Sequence, residues 1–217
     1  MDDAANEKRE RDEAVDGEGE EKESFLTLVL TGQAIPVRMA LAEDPSLADQ
    51  CDPTMWTPLH HATKACQLDV IRELLKVGAD IAAVTQHDST ALHIAACNAG
   101  PAQTDPKMVT ALERATSLLI DRGCPPLARD NKGNTALHRA AQHGSIGIFR
   151  VLMTIIGDDG GKNAEGQTVT DRAEAAGHKA ILEYIHKPVD LTGFQRFTAF
   201  KSADGEIVVK EAESAGD

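Results

Sequence analysis

Apolar residues recur through the middle of the chain at helical spacing, in clusters separated by polar turns. Leu68, Val70, Ile71, Leu74 and Leu75 form one such cluster, Ala115, Leu118, Leu119 and Ile120 a second, and Ile146, Ile148, Phe149 and Leu152 a third. Each predicts an amphipathic helix with one buried stripe. Ile35, Val37 and Leu41 repeat the spacing of Leu68, Val70 and Leu74 at an offset of 33 residues, which predicts a further helix near the start. Ala180, Ile181, Tyr184 and Ile185 make a narrower stripe, as expected of an end helix with one face in water.

A second set of helices is announced by their starts. TPLHHA occupies residues 57–62, TALHIA 90–95, TALHRA 135–140 and the weaker TVTDRA 168–173, at offsets of 33, 45 and 33. Thr57, Thr90, Thr135 and Thr168 are placed to cap a helix with their hydroxyls, and Pro58 takes the first helical position, where a missing N–H is harmless. Gly78 and Gly123, again 45 apart, supply the left-handed conformation that ends the second helix of a pair, and Gly157 comes one residue late. Counting back 33 from Thr57 lands on Ser24, where SFLT replaces TPLH.

A period of 33 with T-P-L-H-x-A opening each helix pair resembles the ankyrin repeat. The first clear copy matches from TPLHHA through LDVIRELLKVGADIAA (68–83), and the resemblance covers about residues 24–187. It implies an all-α solenoid of stacked helix-turn-helix units with β-turn tips. The units expected are a capping repeat 24–56, typical repeats 57–89, 90–134 and 135–167, and a capping repeat 168–187. The twelve extra residues of the second typical unit fall near 99–110 (AGPAQTDPKMVT). There Thr104 or Asp105 can cap, Pro106 fits the first turn, and Met108, Leu112, Ala115 and Leu119 share a face, so the second helix is expected to be about two turns longer. This is either a projecting contact element or an insertion that the surface tolerates, and the latter is preferred.

Charge is concentrated in the tails. The net charge is -13, of which residues 1–23 carry -7 and residues 188–217 carry -3. Such a balance disfavours DNA, RNA and anionic lipid as partners, and the sequence holds neither a membrane-length apolar run nor a secretory leader. Segment 1–23 has one Val as its only sizeable apolar residue after Met1 and is expected to be disordered. GFQRFTAF and KSADGEIVVKE predict a hairpin over 194–210, turning at Asp204-Gly205, whose Phe194, Phe197 and Phe200 either dock on the last helices, the preferred reading, or await another protein. Cys51, Cys66, Cys97 and Cys124 lack the close pairs of zinc or redox motifs, so a reducing compartment, cytosol or nucleus, is expected.

Chemistry has few candidates. His93 and Cys97 lie four apart, a superficial nucleophilic dyad, and His60 stands beside His61. The resemblance instead commits His60, His93 and His138 to bridging neighbouring turns through both ring nitrogens, and the side chains of His60 and His61 point to different faces. Asp158 with Asp159 and Glu20 with Glu21 read as solvated pairs. No catalytic residue, metal or cofactor is expected.

What the resemblance implies is a protein-binding module, an adaptor or scaffold, whose concave strip meets another protein. At its tips stand Thr54 and Trp56, then Gln86, His87 and Ser89, then Asn131, Lys132 and Asn134, then Glu165 and Gln167; on the first helices stand Lys64, Cys97, Asn98, Gln142 and His143. Trp56, the only Trp, is either the main anchor or a cover over the end of the stack. The chain is expected to be a monomer outside its complex. Two rivals stand beside this reading: an acidic decoy or chaperone for basic proteins acting through 1–23, and a His/Cys enzyme or metal protein.

Overall fold

The computed structural model describes residues 24–100, 105–157 and 160–186, and the backbone of 197–201 and 207–211. Ten α-helices follow one another in pairs: α1 (Phe25–Thr31) and α2 (Ala34–Glu43), α3 (Pro58–Lys64) and α4 (Leu68–Val77), α5 (Ala91–Asn98) and α6 (Pro106–Asp121), α7 (Ala136–His143) and α8 (Ile146–Ile156), α9 (Val169–Ala176) and α10 (Lys179–His186). A 3-10 turn, Pro45–Asp49, follows α2. First helices pack on first helices, in the order α1, α3, α5, α7, α9, and second helices on second helices, in the order α2, α4, α6, α8, α10. The result is the expected all-α repeat solenoid.

The four threonine-led helix starts are specified as their sequence suggests. The backbone N–H of Thr57, Thr90 and Thr135 donates to Nδ1 of the histidine three residues on, at 3.1, 3.2 and 3.3 Å. In each case the Thr hydroxyl lies 2.9 Å from the same nitrogen. At the fourth start Asp171 replaces the ring, its Oδ2 accepting from Thr168 N at 2.7 Å, while Thr168 Oγ1 accepts from Asp171 N at 3.2 Å. These are reciprocal capping boxes. At the far end of the helix pair, Gly78 and Gly123 adopt φ of +95° and +96°, the left-handed region that a side chain would strain.

The core is one continuous row of apolar side chains between the two helix layers, including Val37, Leu41, Leu59, Val70, Ile71, Leu74, Leu92, Leu112, Leu119, Leu137, Ile148, Phe149, Leu152 and Ile181. Two expected core positions are exposed. Ile35 keeps 63% of its surface in water, and Ala180 is also exposed, because the end units have a neighbour on one side only. The insertion lengthens α6 to 16 residues against 10 for α4, starting at Pro106 with Asp105 as its cap: Oδ1 of Asp105 accepts from Lys107 N at 2.8 Å. Leu112, Ala115 and Leu119 are buried on its inner face and Met108 is half-buried.

Beyond α10, β1 (Phe197–Lys201) and β2 (Ile207–Glu211) pair antiparallel, Phe197 with Glu211 and Phe200 with Val208. The readings of segment 1–23, of Asp158 and Asp159, of residues 101–104 of the insertion, of the turn at 204–205 and of the phenylalanine docking lie outside the described residues.

Candidate partner-binding face

The tips are built by one oxygen-bearing side chain in each unit. Asp52 Oδ1 accepts from Thr54 N and Trp56 N at 2.8 and 3.0 Å; Asp130 Oδ1 accepts from Lys132 N and Asn134 N, both at 2.9 Å; Asn163 Oδ1 accepts from Glu165 N and Gln167 N at 3.0 and 2.8 Å. Thr85 fills the same place, its hydroxyl accepting from His87 N at 3.3 Å. Asp52, Thr85, Asp130 and Asn163 are spaced 33, 45 and 33 apart, the period of the helix starts. They were not among the sequence candidates. The signal that finds them is a small side chain with an oxygen acceptor five residues before each capping threonine.

Neighbouring tips are joined through the main chain. Gln86 N donates to Thr54 O at 3.2 Å, Asn131 N to His87 O at 3.0 Å and Ala164 N to Lys132 O at 3.0 Å. The backbone of the tips is thereby satisfied within the stack, and side chains are what it offers outward. Thr54, Gln86, His87, Asn131, Lys132 and Glu165 are exposed there, with Lys64 on α3. Trp56, Cys97, Asn98, Gln142, His143 and Gln167 are half-buried on the same face.

Two sequence candidates leave this surface. Asn134 is fully buried: Nδ2 donates to Asp130 Oδ1 at 3.3 Å and Oδ1 accepts from Asn163 Nδ2 at 2.9 Å. Ser89 retains 9% exposure, and its carbonyl accepts from Thr85 N at 3.0 Å. Both are turned inward because they close the tip rather than crown it.

Three of the tips also rest on their own first helix. His61 Nε2 lies 3.1 Å from Asp52 Oδ2, and Arg139 Nε donates to Asp130 Oδ2 at 2.7 Å. Arg172 donates from Nη1 to Gln167 Oε1 at 3.0 Å and from Nη2 to Gln142 Oε1 of the preceding unit at 2.7 Å. The Thr54 hydroxyl, together with the amides of the tip, holds the Asp52 carboxyl down at about 2. Burial acts to raise the Asp130 carboxyl, yet the tip amides and Arg139 outweigh it and keep it below the ordinary range. Trp56 packs its ring on His60 and His61, with centroids at 6.0 and 5.3 Å, and Lys64 Nζ stands 5.1 Å over it. These ring contacts fix it on α3, with part of the ring still accessible.

The motif histidines follow the expected bridging in two of three cases. His93 Nε2 reaches Asn134 O at 3.0 Å and His138 Nε2 reaches Gln167 O at 3.3 Å. His60 departs from it. Its Nε2 is buried and closes no hydrogen bond, although the carbonyls of Ala83 and Ser89 favour the protonated ring; burial wins and pulls its pKa down to about 4. With Nδ1 accepting and Nε2 donating, His93 has no nitrogen left to act as a base. Burial also pushes the Cys97 thiol up, away from the reactive thiolate. Among the described residues no three His, Cys, Asp or Glu side chains converge as a metal site would require, and no helix is long and apolar enough to cross a membrane.

A period of 33, reciprocal caps and tips bonded to tips define a stacked repeat protein. The family model for ankyrin repeats, in three copies, matches residues 32–112, and a single ankyrin repeat matches residues 132–158. Residues 32–112 and 132–158 thus carry ankyrin repeats, which generally mediate protein–protein interaction. Among its relatives, B-cell lymphoma 3 protein from Homo sapiens is 28% identical over 122 residues, which are 54% of this chain and 24% of that protein. Ankyrin repeat and SOCS box protein 16 from Mus musculus is 32% identical over 145 residues, covering 61% of this chain and 31% of its own length. Probable E3 ubiquitin-protein ligase XBOS33 from Oryza sativa subsp. japonica is 28% identical over 184 residues, 77% of this chain and 33% of that protein. The chain thus spans a third or less of the length of these relatives.

Proposed function

We propose that the chain is a non-enzymatic adaptor or scaffold that binds another protein across the face formed by its tips and first helices. The five-unit division 24–56, 57–89, 90–134, 135–167 and 168–187 is part of this reading. The observation that carries it is the exposed row Thr54, Gln86, His87, Asn131, Lys132 and Glu165, whose backbone is already bonded from tip to tip, so that side chains are what the row presents outward. The half-buried Trp56 supplies an aromatic anchor at one end of that row. The ligase activity in the name of the rice relative belongs to a protein of which this chain matches a third, and is not carried over. A reducing compartment, cytosol or nucleus, suits the four free thiols.

The test is capture of a partner from cell lysate with the wild-type chain beside the triple variant Trp56→Ala, Gln86→Ala, Lys132→Ala, both checked for helicity by circular dichroism. A partner held by the wild type and lost by the folded variant supports the reading. A partner held equally by both places the binding elsewhere.

A further inference from the structure

We propose that α7 and α9 carry a carboxylate-binding site, made by His143 and Arg172 beside the Arg139–Asp130 pair, which takes an acidic segment of the partner protein. This rests on the partner-binding reading above and adds the partner's chemistry.

The chain holds 35 Asp and Glu against 22 Lys and Arg, yet this part of the face gathers two arginines and two histidines around two carboxylates. Arg139 and His143 are one turn apart on α7 and share a face. Arg172 reaches back from α9 to Gln142, the residue before His143, and His178 Nε2 meets the Gln142 carbonyl at 3.0 Å. Four cationic or protonatable groups are thereby gathered around one turn of α7. Their crowding is felt by His143, whose pKa is lowered by burial and further by Arg139, His178 and Arg172.

Two carboxylates come within ion-pair distance of the arginines among the described residues, and none comes within that distance of His143. Asp130 is completely buried behind Arg139 and is also spent on the tip amides. Glu165 stays 3.7 Å from Arg172, with 53% of its side chain exposed. Arg172 itself keeps 15% exposure, is held by two neutral glutamine amides, and has a buried Nε that meets no acceptor. A guanidinium buried to that degree ordinarily meets a carboxylate in good geometry. His143 is half-buried and makes no hydrogen bond to any described residue. An Arg fork and a free imidazole on adjacent helices are donors that suit carboxylate oxygens.

The test is a titration of the 15N-labelled full-length chain with the capped peptide Gly-Gly-Glu-Gly-Gly-Glu-Gly-Gly and with its Gln counterpart, following the Arg side-chain and His143 ring signals. Saturable shifts of the Arg172 and His143 signals are expected with the Glu peptide, with apparent affinity about tenfold lower for the Gln peptide and for the His143→Gln and Arg172→Gln variants. His143 has no bond to lose, so its variant keeps the fold even if Arg172→Gln loosens the last unit. Equal responses to both peptides, no response, or responses unchanged in His143→Gln overturn the proposal. So does movement of the same signals, without peptide, when the Asp and Glu residues of 2–23 are replaced by Asn and Gln, since that assigns the site to the chain's own segment. Loss of the partner on the Trp56, Gln86, Lys132 variant alongside a silent Glu peptide would leave the binding face standing and remove only its acidic specificity.

Discussion

Replacing Asp130 separates the two duties that the structure gives to the tip residues. Its Oδ1 accepts from the amides of Lys132 and Asn134, and its Oδ2 pairs with Arg139, whose side chain is 18% exposed. Asp130→Ala leaves Arg139 without its partner, a loss of about 3–5 kcal/mol for a buried pair. It also orphans the buried Asn134 amide, which by itself is a loss of about 1–3 kcal/mol. Because both act on one residue they are not additive, and a total of about 4 kcal/mol is expected. Asp130→Asn keeps an oxygen for both amides, as Asn163 does one unit later with bonds of 3.0 and 2.8 Å. It forfeits only the charge on Arg139, about 2 kcal/mol. With a urea slope of about 2 kcal/mol per molar, the midpoints fall by about 2 M for Ala and about 1 M for Asn. Urea unfolding followed by circular dichroism reads both. A midpoint for Asp130→Ala within about 0.5 M of wild type, or equal losses for Ala and Asn, would refute the division of labour.

Three further outcomes follow from the same geometry. His60 has a folded-state pKa of about 4, below the ordinary 6.5, so its contribution is complete above pH 6.5 and is lost as pH falls toward 4. At pH 5 this amounts to about 2 kcal/mol, with His93 and His138 lowered in the same direction; urea midpoints unchanged between pH 7 and pH 5 would contradict it. Phe149 is fully buried and meets Tyr184 edge-to-face at 6.0 Å. Phe149→Ala is expected to cost about 3–5 kcal/mol, measured by the same unfolding, whereas Ile35→Ala at the exposed end should change stability by less than about 0.5 kcal/mol. In native thiol titration Cys51, which is exposed, should react first, and Cys124, buried with its pKa pushed up to about 11, last; the reverse order would place them wrongly.

The helix pairs were legible because threonine, histidine and glycine recur at a fixed period and each has one conformational reason to be there. The tip builders were not, because Asp52, Thr85, Asp130 and Asn163 differ in chemistry and share only an acceptor oxygen at the right distance from the chain. Ser89 and Asn134 looked like surface residues by position, but a tight tip turns every second or third side chain inward to close itself. Arg139 and Arg172 occupy the variable place in the motif, and nothing local tells that one finds a buried carboxylate and the other two amides from different units. His60 shows the limit of the repeat pattern itself. The same motif that bonds both nitrogens of His93 leaves Nε2 of His60 without a closed hydrogen bond, although the Ser89 carbonyl acts on that ring as the Asn134 carbonyl does on His93.

The central claim is that a partner protein lies on the tips and first helices. Amide hydrogen exchange of the chain, alone and with its captured partner, reads this directly. The account predicts slowed exchange at the tips 52–56, 85–89, 130–134 and 163–167 and along α3, α5, α7 and α9, with α4, α6 and α8 unchanged. Protection confined to the second helices, or to residues beyond the repeats, would contradict it.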